Sequence, residues 1–70
     1  MTSEVEITFN GQSKLVPSGT SITALLDMLE LQPKHVAVEL NLEVVPREEH
    51  SQQVLSAGDR VEIVTLVGGG

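Results

Sequence analysis

The chain has no cysteine, no tryptophan and no tyrosine, and its one aromatic residue is Phe9. Without thiols it can form no disulfide framework, no thiolate nucleophile and no cysteine-ligated metal centre. Its two histidines, His35 and His50, are too far apart for the usual zinc spacings, so no metal site is expected. No apolar run approaches the roughly 18 residues needed to cross a bilayer, and "MTSEVEI" has neither the basic start nor the apolar stretch of a signal peptide. The expectation is a cytoplasmic protein with no membrane contact. Basic residues are also scarce, four against ten acidic ones, for a net charge of −6. That balance repels phosphate backbones and argues against nucleic acid as a partner. It either keeps a small protein solvated or steers it toward proteins with basic faces.

The 70 residues allow one domain. A chain of this size buries only about 60 % of the surface it exposes when unfolded, which leaves little room for an internal active site. "VEITFN" puts Val5, Ile7 and Phe9 on one face and Glu6 and Thr8 on the other, the period of a strand covered on one side. Asn10-Gly11 reads as a type I′ hairpin turn, since both residues tolerate positive φ. The chain returns through "QSKLVP", and Pro17 and Gly19 end that second strand.

The period then changes. Ile22, Leu25, Leu26 and Leu29 fall at i, i+3, i+4 and i+7, one stripe of a helix with Ser21 placed to cap its start, and Pro33 closes the helical region. Val36, Val38 and Leu40 share a face of a third strand, and Asn41 marks a turn. "LEVVP" is a short extended piece halted by Pro46; "REEHSQQ" is irregular or a single helical turn. "SAGD" turns the chain into the last strand. This order gives an α+β fold: a mixed sheet of four to five strands covered on one face by one main helix, the outline of a β-grasp domain. It occupies residues 1–67, and residues 68–70 form a flexible glycine tail.

In the last strand Val61, Ile63, Thr65 and Val67 point one way, while Val64 and Leu66 point the other way with Glu62. Apolar residues on both faces fit either a central strand partly covered by a loop or a patch that docks on a partner.

Gly68, Gly69 and Gly70 follow that strand. Glycine loses the most backbone freedom when fixed, so a triplet here adds no stability. It can, however, extend roughly 10 Å at about 3.3 to 3.6 Å per residue, with almost no width. A partner could thread it through a narrow channel and bring the α-carboxylate of Gly70 to its catalytic centre. A carboxylate is a poor electrophile until activated, for example as a mixed anhydride with AMP. The glycines form no phosphate-binding loop, so no cofactor is bound here, and any ATP is used by the partner activating enzyme.

With these features in place, the chain resembles the ThiS-type sulfur carriers of thiamine biosynthesis over almost its whole length. The likeness rests on "VEITFNGQ", "TSITALLDML", "VAVELNLEVVPRE" and "AGDRVEIVTLVGGG", and within them on Asn41, Pro46-Arg47-Glu48, Gly58-Asp59 and the closing glycines. The resemblance implies a ubiquitin-like β-grasp fold and a protein co-substrate, not an enzyme. It implies that a ThiF-like adenylating enzyme activates Gly70, and that a persulfide from a cysteine desulfurase converts it to a thiocarboxylate. The sulfur then passes to a ThiG-like thiazole synthase. Gly69 would give clearance beside the reacting carbonyl, and Val64, Leu66, Val67 and Gly68 would form the docking surface. A carrier without thiols is consistent with sulfur held at the terminus.

Two departures stand out: a third glycine where two suffice, and His50 where relatives often have an aromatic residue. His50 reads as a partly exposed surface residue and not a catalyst, and Arg47 as a local partner of Glu48, Glu49 or Asp59. Three other functions remain compatible with the residues. They are a sulfur carrier resembling the small subunit of molybdopterin synthase, a ubiquitin-like protein modifier, and a β-grasp interaction module with no terminal chemistry.

Overall fold

A computed structural model describes residues 3–66. Five strands form one mixed sheet: β1 (Glu4–Phe9), β2 (Gln12–Pro17), β3 (Val36–Leu40), β4 (Glu43–Val44) and β5 (Arg60–Thr65), in the spatial order β2-β1-β5-β3-β4. β1 runs parallel to β5, and the other neighbouring pairs are antiparallel. One α-helix, α1 (Ile22–Met28), connects the two halves of the sheet.

The alternation read in the sequence becomes the core. Ile7, Val16, Val36, Val38, Val61 and Ile63 from the strands meet Ile22, Leu25 and Leu26 from the helix, and Val45 and Leu55 complete the cluster. Val5, Phe9, Leu29 and Leu40 pack at its margin. Both two-residue hairpins take positive φ at each loop position: Asn10 at 48° and Gly11 at 84°, then Asn41 at 53° and Leu42 at 73°.

Ser21 caps α1 by accepting a 3.1 Å hydrogen bond from the Ala24 amide. The other end departs from expectation. The helix stops at Met28, well before Pro33, because Glu30 turns left-handed at φ 59°. The Leu31 amide then reaches Leu26 O (2.9 Å) and the Glu30 amide reaches Asp27 O (3.1 Å), the paired bonds of a Schellman motif. Pro33 instead begins a separate 3-10 turn, Pro33–His35.

The polar segment 47–53 begins with the 3-10 turn Arg47–Glu49 and lies against the start of α1. Its carbonyls satisfy two first-turn amides of the helix: Gln53 O accepts from Ile22 N at 3.0 Å, and His50 O from Thr23 N at 3.3 Å. This docking draws His50 inside, with only 3 % of its surface exposed, which corrects the expectation of a surface residue. Its Nε2 lies 3.1 Å from Val45 O, while Nδ1 has no partner. Local polarity concealed this burial, because it depends on a helix nearly thirty residues earlier in the chain.

Candidate functional site

The proposed reactive end leaves the domain from β5. That strand is held along its length by β3, in the register Val36↔Thr65, Ala37↔Val64, Val38↔Ile63, Glu39↔Glu62 and Leu40↔Val61. Just past the strand, the Leu66 amide donates to His35 O at 2.8 Å, so the described chain is anchored up to its last residue. Gly68, Gly69, Gly70 and Val67, all named from the sequence, lie outside the described residues.

Cross-strand partners share a face, so the register shows what surrounds the docking residues. Val61 and Ile63 face the helix and are buried, whereas Val64 is 59 % exposed and Leu66 50 %. Among the described residues, these two side chains are open on the outer face. Beside Val64 stands Ala37, and one step further Glu62 is opposite Glu39, with Val44 of β4 paired to Glu39 on its other side. The outer face thus runs from an apolar strip near the exit of the chain to a pair of facing carboxylates. Ala37 and Glu39 could not be assigned to this surface from sequence, because strand pairing between residues 36–40 and 61–65 is not a local property.

The motif residues divide by role. Asn41 is structural: its Oδ1 accepts from the Arg60 amide at 2.9 Å, and its Nδ2 donates to Asp59 Oδ1 at 3.0 Å. Asp59 Oδ2 accepts from the Ser56 amide at 2.8 Å, closing the turn in which Gly58 sits at φ 87°. Asp59 thus ties its turn together through Asn41 and Ser56. A shallow pocket of about 280 Å³, lined by Asn41, Leu42, Gly58 and Arg60, opens at the start of β5. Among the described residues no group of three or more histidine, aspartate or glutamate side chains could hold a metal. No helix among them is long and apolar enough to cross a membrane.

A five-stranded mixed sheet in the order β2-β1-β5-β3-β4, with one covering helix, defines a ubiquitin-like β-grasp domain. The model of the ThiS family matches residues 2–70, and the chain belongs to that family as a sulfur carrier of thiamine biosynthesis and not a catalyst. The Sulfur carrier protein ThiS of Escherichia coli is 29 % identical over 94 % of this chain and 100 % of its own length. The crystal structure of a thiamine biosynthesis protein (ThiS) from Geobacter metallireducens superposes with a TM-score of 0.81. It is 36 % identical and covers 94 % of this chain and 100 % of that one. A thiazole synthase of Paramagnetospirillum magneticum is 36 % identical over 94 % of this chain, but the chain spans only 20 % of that relative's length.

Proposed function

We propose that this chain carries sulfur as a thiocarboxylate on Gly70 and donates it for thiazole formation in thiamine biosynthesis, working in the cytoplasm. A ThiF-like enzyme, using its own ATP, adenylates the Gly70 carboxylate. The outer sulfur of a persulfide supplied by a cysteine desulfurase then attacks the acyl carbon and displaces AMP. A second thiol of the partner machinery cleaves the resulting acyl disulfide to leave the thiocarboxylate and a disulfide, and a ThiG-like thiazole synthase takes that sulfur. Gly69, with no Cβ, leaves clearance beside the reacting carbonyl. Gly68 and Val67 lie in the approach, and Val64 and Leu66 dock on the enzyme surface.

The observation that carries this reading is the exposed apolar pair of Val64 on β5 and Leu66 just past it, followed in the sequence by Val67 and three glycines. The two thiazole synthases that match this chain, from Paramagnetospirillum magneticum and Magnetococcus marinus, add support. In each of them a domain of this kind is part of one longer polypeptide.

Mass spectrometry of protein isolated from its own cells tests the proposal. The expected result is a form heavier by one oxygen-to-sulfur exchange, mapped to the C-terminal peptide. Removal of Gly70 should leave the fold intact and abolish adenylation; a truncated chain that still accepts AMP overturns the role of that residue. Conjugates to lysines in place of a thiocarboxylate would identify a protein modifier.

A further inference from the structure

Among the described residues, no strand flanks the last residue of β5 on its β1 side. Along a strand flanked on both sides, successive backbone groups face alternate neighbours. Arg60 and Leu66 face β3: Arg60 O accepts from the Asn41 amide, and the Leu66 amide donates to His35 O, each at 2.8 Å. Asp59, Val61 and Ile63 face β1. Asp59 O accepts from Thr8 N and Val61 O from Asn10 N, both at 2.9 Å. Ile63 uses the Asn10 carboxamide, its amide donating to Oδ1 (2.8 Å) and its carbonyl accepting from Nδ2 (3.2 Å).

By the same alternation the N–H and C=O of Thr65 point to the β1 side. There the ladder ends at Phe9↔Val61, and the Asn10-Gly11 turn takes the chain back into β2. Thr65 is exposed, and among the described residues nothing bonds its backbone on that side. A free donor and acceptor on an exposed strand form a template for another extended segment.

We propose that an extended segment of the adenylating enzyme pairs with Thr65, adding a strand in line with β1 beside the exit of the chain. This rests on the adenylation reading above. The hairpin tip blocks longer pairing toward the start of β5, so the guest segment meets this edge at Thr65. Val64 and Leu66, exposed on the neighbouring face, receive apolar side chains of the same enzyme. The chain's net charge of −6 favours a basic surface around them. Main-chain bonding of this kind recognises an extended segment without reading its side chains.

Amide exchange measured by NMR, on the chain alone and with its ThiF-like adenylating enzyme, tests the assignment. The Thr65 amide should exchange at least about 100-fold more slowly in the complex, whereas the Leu66 amide, already bonded, is protected in both. Thr65→Pro removes the N–H that faces the slot and leaves the β3 ladder its donors. It should lower the adenylation rate about tenfold, the equivalent of one hydrogen bond. If that variant does not fold, an ester in place of the Val64–Thr65 amide makes the same deletion. A Thr65 amide that stays unprotected in a complex competent for adenylation overturns the inference, as does an undiminished rate for the ester. Protection in the free chain accompanied by dimerisation overturns it in favour of a second copy as the guest. A wild-type chain that is neither bound nor adenylated overturns the function proposal together with this one.

Discussion

The carboxamide of Asn10 bonds both backbone groups of Ile63, 53 residues away, and so extends the pairing of β1 with β5 beyond the last β1 residue. Asn10 is at the same time the first loop residue of its hairpin, at φ 48°. Asn10→Gly keeps the turn and loses the two bonds. It should destabilise the domain by about 1 to 2 kcal/mol, and Asn10→Ala by about 1 kcal/mol more, because alanine is strained in the left-handed region. Urea unfolding curves check both values. Equal losses in the two variants would show that turn strain contributes nothing.

His50 fills a buried site between the polar loop and α1, and its Nε2 serves Val45 O. His50→Ala leaves a cavity and an unbonded carbonyl, and should lower stability by about 3 kcal/mol. Adenylation of the protein that remains folded should be unchanged, because the ring lies on the helix-covered side and away from the strip at Val64. A variant of full stability but low activity would place His50 in the chemistry instead.

Leu42 occupies the position in the second hairpin that Gly11 occupies in the first. It is 74 % exposed at φ 73°, so neither burial nor backbone favours leucine there. Leu42→Gly should therefore stabilise the fold by about 1 kcal/mol, a rise in Tm of about 4 to 8 °C for a domain of this size. Differential scanning calorimetry gives the answer directly. A loss of adenylation in this variant would reveal a contact made by the leucine side chain.

Glu39 and Glu62 face each other across β3 and β5 without an intervening strand. Glu62→Lys turns a like-charge pair into an opposite-charge one and should add up to about 1 kcal/mol of stability, with the gain shrinking in high salt. Where the enzyme presents basic groups to this face, the same substitution should raise KM for the carrier and leave kcat unchanged.

Periodicity and turn chemistry made much of this fold legible from the sequence. Ile7, Val38 and Val61 declared their strands through period-two spacing, and Leu25 and Leu26 declared the helix face, since each pattern lies within a few consecutive residues. The helix stop was not legible, because Glu30 adopts the left-handed position that glycine normally signals. The family resemblance also came from local motifs, yet Asn41 and Asp59 turned out to hold the turns before β5 together.

By itself, the sequence determined the alternation of the strands, the apolar stripe of the helix, the acidity and the glycine ending, all of them properties of neighbouring residues. The tertiary structure alone decided that His50 is buried, that Glu39 meets Glu62, and that Thr65 lies beyond the last pair of the β1–β5 ladder. Each of these depends on which distant segments pair, and that choice is made by burying one common core, not by any residue's own preference.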